Sequence, residues 1–347
     1  MMKKRELVDG YSISPVIKGG WQLSAGHSLT QSSDNRAGVD DTIAFIEAGI
    51  TTLDFGDIYT GVEEIIGRAV GKLGEKYGKE GRNKVQLHTK YVPNEESLAN
   101  FDKADIERIV DRSLHRLRVE QVDLVQFHWW RYENQKYLEA IEELFRLKSA
   151  GKIRHVGVTN FDLTRLQEMV ESGLKPASIQ LQYSVLDRRP EEEMTDYCSD
   201  HGIGILCYGT VAGGFISEKY LGLADPSKFE TRSNVKYRLI IDEFGGWELF
   251  QELLLVLKKI AIAHQSDIAT ISSAYTLSRK GVTAVIVGAR NINHLQNNLS
   301  IPEIRFSEEE LKAIDEVLVR SKGPKGPVYD LERYSDKHRN IMKTNLN

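Results

Sequence analysis

Thr51-Thr52-Leu53-Asp54-Phe55-Gly56-Asp57-Ile58-Tyr59 is a short β-branched run that stops on a carboxylate, turns at a glycine and presents a tyrosine five residues beyond the aspartate. Read alone, it is one strand with a polar end. Read outward, the same construction recurs along the chain. Apolar, β-branched runs at 15–20, 51–54, 85–90, 122–128, 154–159, 177–183, 203–208 and 283–287 predict eight strands. Amphipathic helical patterns lie between them at 39–47, 62–72, 103–116, 135–150, 163–171, 190–200 and 292–299, with stops at Gly49, Gly151, Gly173 and Gly202. Eight strands, each followed by a helix, predict a (β/α)8 barrel. An open doubly wound sheet needs a phosphate-binding glycine fingerprint after its first strand, and Gly19-Gly20-Trp21-Gln22-Leu23 is not one.

The remaining segments decorate one domain, residues 1–347. An N-terminal extension precedes the first strand. A long stretch, 209–246, follows the seventh and carries no strong periodicity, as expected of a lid or clasp. Helical patterns at 247–264 and 267–278 lead to strand eight, and a last helix at 308–320 has Ser307 as N-cap with Glu310 three residues on. The tail, 321–347, is either flexible or a strap over the barrel mouth, and Tyr329, Arg333, Tyr334 and Met342 favour the strap.

Composition bounds the function. Hydrophobic residues at 41%, charged residues at 28% and a net charge of -4 are globular values with no basic footprint for nucleic acid or an anionic membrane. Asp9-Gly10 and Ser12 interrupt the place where a secretion signal would be apolar. The apolar segment 249–263 is short and carries Glu252, Lys258 and Lys259, so no membrane span is expected. Cys198 and Cys207 lack metal-ligand spacing, which predicts two structural thiols, no metal and a reducing cytoplasmic setting.

A barrel collects whatever stands at the C-terminal ends of its strands. Here those residues are Asp54, Lys90, His128, Thr159-Asn160, Gln180 with Gln182, and Tyr208. A phenol with a reference pKa of about 10 donates a proton poorly near neutrality unless a cation stands beside it. Tyr59 with Lys90, Asp54 and His128 is therefore a candidate acid catalyst. Asp54 and Lys90 alone also read as a structural ion pair, His128 as a hydrogen-bonded core histidine, and Tyr208 as packing. Gln180 and Gln182 face inward and require partners: a polar ligand, each other, or water.

The motifs Leu-Asp-Phe-Gly-Asp-Ile-Tyr at 53–59, Thr-Lys at 89–90, Val-Asp-Leu-Val-Gln-Phe-His at 122–128 and Gly-Lys-Ile-Arg-His-Val-Gly-Val-Thr-Asn-Phe at 151–161 stand in this order. Gln-Leu-Gln-Tyr-Ser at 180–184 and Val-Gly-Ala-Arg-Asn-Ile-Asn-His-Leu-Gln-Asn-Asn-Leu at 287–299 complete the set. Together they resemble the aldo-keto reductase superfamily over most of the chain. The resemblance implies reversible reduction of an aldehyde or ketone by a nicotinamide dinucleotide bound without a Rossmann domain. It implies Tyr59 as general acid, Lys90 as the cation that lowers its pKa, Asp54 as that lysine's partner and His128 as the group that orients the carbonyl. For the cofactor it implies Gly20, Trp21, Thr159, Asn160, Gln180, Tyr208, Gly288, Arg290, His294, Asn297 and Asn298, with NADP(H) favoured through Arg290 and NAD(H) as the alternative. The family's usual Ser-Pro-Leu is missing after Tyr208, and His294 and Asn297 replace its commoner Gln and Glu.

Trp21, Trp129 and Arg131 are the expected substrate wall, for a small carbonyl or sugar-like compound. Two other readings compete. One is a Schiff-base lyase using Lys90, against which the Asp54 partner argues. The other is a cofactor-sensing subunit with slow turnover, by analogy with potassium-channel β subunits in the superfamily.

Overall fold

The computed structural model describes residues 2–24, 27, 35–289 and 291–341. Strands β1 (Arg5–Val8) and β2 (Tyr11–Ile13) form an antiparallel hairpin. Eight parallel strands follow: β3 (Val16–Gly19), β4 (Thr52–Asp54), β5 (Gln86–Tyr91), β6 (Val122–Phe127), β7 (Ile153–Thr159), β8 (Ser178–Gln182), β9 (Gly204–Tyr208) and β10 (Val282–Gly288). They close into a barrel in chain order, with β10 bonded to both β3 and β9. All eight expected strands are present within a few residues of their expected bounds.

Strand parity sorts the barrel into two zones. Ile179, Leu181, Leu87, Val125 and Val158 point outward into the layer shared with the helices. Ile17, Leu124, Leu206, Ala284 and Ile286 point inward and meet Leu7, Tyr11 and Ile13 of the hairpin, so the extension plugs the barrel floor. Gly204 is needed there, because a Cβ on it would strike the Leu7 side chain. Toward the other end the interior turns polar. Register pairs Gly19 with Asp54, Asp54 with His88, Lys90 with Gln126, Thr159 with Gln180 and Gln182 with Tyr208, which brings the polar strand ends to one level.

Three elements differ from expectation. The hairpin was absent from it, although Asp9-Gly10 between apolar residues is a hairpin turn and Gly10 has φ +69°. The stretch 209–246 contains a 13-residue helix, Arg232–Phe244, whose Thr231 side chain accepts from the Asn234 N–H as N-cap. Its buried Tyr237, Ile240, Ile241 and Phe244 follow helical spacing and build a second apolar cluster with helices Trp247–Ala263, Ile268–Leu277 and Glu308–Leu318. Last, the expected helix at 292–299 is a 3-10 turn, Ile292–His294, running into a six-residue helix, Leu295–Ser300.

Ser307 caps the last barrel helix with the reciprocal Glu310 contact that its sequence predicts. Both cysteines are free and buried. No helix among the described residues is long and apolar enough to cross a membrane. Beyond the barrel, Lys322 N donates to Phe244 O at 2.9 Å, and short helices Asp330–Tyr334 and Asp336–Arg339 lie against the mouth. Met342 lies outside the described residues.

Candidate active site

Asp54 ends β4 and is the crossing point of the barrel mouth. Its Oδ1 accepts from Lys90 Nζ at 2.6 Å, and its Oδ2 accepts from Gln126 Nε2 at 2.7 Å and Gln180 Nε2 at 2.6 Å. Lys90 also donates to Phe55 O at 2.8 Å. Both members of the pair are 5% exposed, so each carries a desolvation cost that the other offsets. Burial lowers the Lys90 pKa, yet Asp54 and Tyr59 together more than reverse this and raise it. The amine therefore stays protonated, which leaves it without the lone pair a Schiff base needs.

Tyr59 arrives on the loop after β4, turned back by its N–H donating to Gly56 O at 2.9 Å. Lys90 Nζ lies 5.1 Å from its ring centroid, and Trp21 packs on it at 4.9 Å. Lys90 was expected to lower the phenol's pKa, and its contribution has that sign. The net shift is nevertheless upward, because burial dominates and the Asp54 carboxylate opposes the lysine.

His128 follows β6, and its backbone N–H donates to Tyr91 O at 3.0 Å. Its Nδ1 lies 3.2 Å from Thr159 O, and its Nε2 is buried with no partner. The ring meets Trp130 edge to face at 4.3 Å and Tyr329 at 5.6 Å. Burial first, and the Arg333 guanidinium second, push its pKa down to about 3 against the Thr159 bond, so the imidazole is neutral.

These four side chains line one cavity of about 290 Å3. Of the expected cofactor residues, Trp21, Thr159, Asn160, Gln180, Tyr208 and Gly288 also line it. Gly20 does not: its N–H donates to Asp54 O at 2.7 Å, and Gly19 takes its place in the wall. Gln180 is committed to Asp54 and, at 2.8 Å, to Gln126 Oε1, while Gln182 donates to Asp187 Oδ2 at 2.6 Å. Gln180 and Gln182 are thus bonded within the protein, and not to each other. Asn160, at φ +62°, accepts from the Tyr208 hydroxyl at 2.8 Å. His294 and Asn297 are exposed and Asn298 is buried, all away from the cavity, and Asn297 donates to Asp267. Arg290 lies outside the described residues.

Two expected substrate residues are displaced. Trp129 is fully buried, donates to Asn134 O at 2.9 Å and packs on Phe127; its neighbour Trp130 is the cavity wall. Arg131 turns away to Glu95 Oε1 at 2.6 Å. Beyond His128 the period-2 rule of the strand no longer applies, so parity could not assign these side chains.

The cover expected of 209–246 and of the tail is present, and its individual lining residues, Tyr329 apart, are new. Helix Arg232–Phe244 contributes Arg232, Lys236 and Tyr237, and the C-terminal segment contributes Tyr329. Lys236 Nζ lies 3.4 Å from Glu332 Oε1 and 5.1 Å from the Tyr208 ring. Glu332 also pairs with Arg189 at 3.3 Å, and Arg189 with Asp187 at 2.7 Å. Arg333 Nη2 donates to Trp129 O at 3.0 Å and Asn160 O at 2.8 Å. The apolar spacing of 237–244 was the available signal for the helix.

A model of the Aldo/keto reductase family matches residues 15–319. An uncharacterized oxidoreductase, YqkF of Bacillus subtilis, is 31% identical over 280 residues, covering 78% of this chain and 83% of the relative. An NADH-specific methylglyoxal reductase of Escherichia coli is 26% identical over 324 residues, covering 88% and 95%. The solved structure of the glycerol dehydrogenase AKR11B4 from Gluconobacter oxydans superposes with a TM-score of 0.75 at 27% identity, covering 92% of this chain and 96% of that one. The matched stretch runs from the start of the barrel through its last helix, and this chain belongs to the Aldo/keto reductase family.

Proposed function

We propose that the chain is a reductase of small aldehydes or ketones that uses a nicotinamide dinucleotide, and that the reaction is reversible toward alcohol oxidation. The observation that carries this reading is the Tyr59 phenol beside a Lys90 ammonium held by Asp54, all lining one cavity.

The residues present fit the cofactor. Tyr208 offers a ring face, Thr159 and Asn160 offer polar groups at the end of β7, and Arg232 and Lys236 supply positive charge on the same wall. Gly288 keeps the end of β10 open, since a Cβ there would strike the Gln22 amide. When bound, the reduced nicotinamide supplies the hydride that reaches the carbonyl carbon. Tyr59 then gives its proton to the carbonyl oxygen as the C=O π pair moves onto it. Lys90 stabilises the phenolate left behind, and Asp54 keeps the lysine protonated and in place. Solvent restores the phenol. NADP(H) is the proposed preference, resting on Arg290; the NADH-specific relative favours NAD(H) as the second reading.

Replacing Tyr59 by Phe tests the assignment. The variant should still show quenching of protein fluorescence by NADPH or NADH, while carbonyl reduction falls by about 10²-fold or more. Turnover equal to that of the parent protein would remove Tyr59 from the mechanism.

A further inference from the structure

A second cavity lies at the other end of the barrel from Tyr59 and Lys90. Of about 720 Å3, it is set between the hairpin turn at 10–12 and the N-terminal ends of β5, β6 and β7. Three guanidiniums reach it, from Arg82, Arg118 and Arg154, against the two carboxylates of Asp123 and Glu120. In a chain of net charge -4 this excess of positive charge is local.

The guanidiniums are weakly committed to the protein. Arg82 and Arg154 stand 3.7 and 3.9 Å from the Asp123 carboxylate, longer than a hydrogen bond, and donate instead to Val85 O at 3.1 Å and Gly10 O at 3.5 Å. Asp123 gives one oxygen to the Leu87 N–H at 2.9 Å, and its pKa is raised because burial outweighs that bond and both arginines. Glu120 is exposed, so salt screens its charge. The Arg118 side chain has no hydrogen bond or ion pair among the described residues. It also stands where a glycine would serve the fold better. Arg118 caps helix Lys103–Leu117 at φ +59°, the left-handed turn that glycine takes without steric cost. An arginine there adds strain and gains no partner, which leaves its charge for a ligand.

Planar guanidinium forks match the oxygens of a phosphate group. The cavity is larger than a bare ion needs, and Ser12, Asn83 and Gln121 line the remainder with polar groups. We propose that this cavity at the barrel floor binds a small phosphate monoester, held by Arg118 together with Arg82 and Arg154. The site is separate from the mouth and goes beyond the proposed carbonyl reduction.

Calorimetric titration of the full chain with glycerol 3-phosphate at constant ionic strength tests it. The parent protein should bind with a Kd of about 1 mM or tighter, and glycerol should not bind. Arg118→Gly should weaken binding about tenfold or more while leaving Tm unchanged or higher, since glycine relieves the turn. Arg154→Gln should weaken it as well, and Glu120→Gln, which removes a like charge from the rim, should tighten it. Absence of binding by the parent protein overturns the proposal, and so does binding that survives Arg118→Gly, which would belong to another site. A fall in Tm of Arg118→Gly with unchanged affinity would show that the arginine only braces the fold. Malate binding as tightly as glycerol 3-phosphate would overturn the assignment to phosphate, and inorganic phosphate doing so would overturn the assignment to an ester. None of these outcomes depends on turnover at the mouth.

Discussion

At the scale of single residues, Asp54 decides more of the site's behaviour than Tyr59 does. Its carboxylate accepts from β5, β6 and β8 at once, so it fixes the lysine and also weakens the lysine's pull on the phenol. The Tyr59 pKa lies above its ordinary value, which keeps the proton available throughout the neutral range. Reduction should accordingly be independent of Tyr59 ionisation up to about pH 10 and fall only as the phenol is lost above it. Asp54→Asn removes the carboxylate that opposes Lys90 at the phenol and also the main group that keeps Lys90 protonated against burial. With Lys90 still charged, the alkaline fall of kcat/KM should move to lower pH, and an unmoved or rising limb would show that Lys90 gives up its proton without Asp54. The four residues of this group were legible in the sequence because each one either ends a strand or stands on the turn just after one, where parity and the barrel mouth assign direction. Trp129 and Arg131 were not, because they stand past the strand, where a one-residue change of phase exchanges wall for core.

At the scale of elements, the mouth is closed by two pieces that share one ionic chain. Lys236 of helix Arg232–Phe244 and Arg189 both pair with Glu332 of the C-terminal segment, whose side chain has no exposure. Burial would raise the Glu332 pKa, but Lys236 and Arg189 overcome it and hold it down at about 2. Glu332→Ala would remove the ion-pair partner of Lys236, whereas Arg189 keeps Asp187. Breaking a buried pair by removing one partner costs about 3–5 kcal/mol. The expected outcome is a lower urea midpoint, together with faster amide exchange over 328–341, since Tyr329 and Arg333 are seated by the same segment. Exchange rates unchanged across that stretch would show that the aromatic contacts alone hold it down. The sequence pointed to a lid in 209–246 and a strap in the tail, but neither the helix Arg232–Phe244 nor the ionic chain was legible in it. The charged run 228–238 hid the helical spacing of Tyr237, Ile240, Ile241 and Phe244, and tail contacts are non-local, with no periodicity to announce them.

At the scale of the molecule, the barrel is apolar at its floor and polar above it, and this gradient sets its response to acid. His88 is fully buried inside the barrel with Nε2 2.9 Å from the Tyr11 hydroxyl of the plug. Burial, then Lys90 and His155, drive its pKa down to about 3, and His128 shares that value. His155 is lowered to about 4, again mainly by burial. A depressed histidine binds its proton more readily in the unfolded chain, so folding stability is full above the unfolded pKa near 6.5 and declines as pH falls toward 3. Glu332 acts in the same direction between its ordinary value of 4.5 and about 2. Between pH 7 and pH 5 each fully buried neutral histidine should remove about 2 kcal/mol. Urea unfolding of the parent protein should therefore weaken across that interval, and His88→Leu, which has no proton to take up, should weaken by about 2 kcal/mol less. Equal losses in the two proteins would mean that His88 is already charged in the fold. A cation held between Lys90 and the hairpin plug would then have to be paired by a carboxylate, and Asp54, the nearest inward carboxylate by register, has both oxygens engaged by Lys90, Gln126 and Gln180.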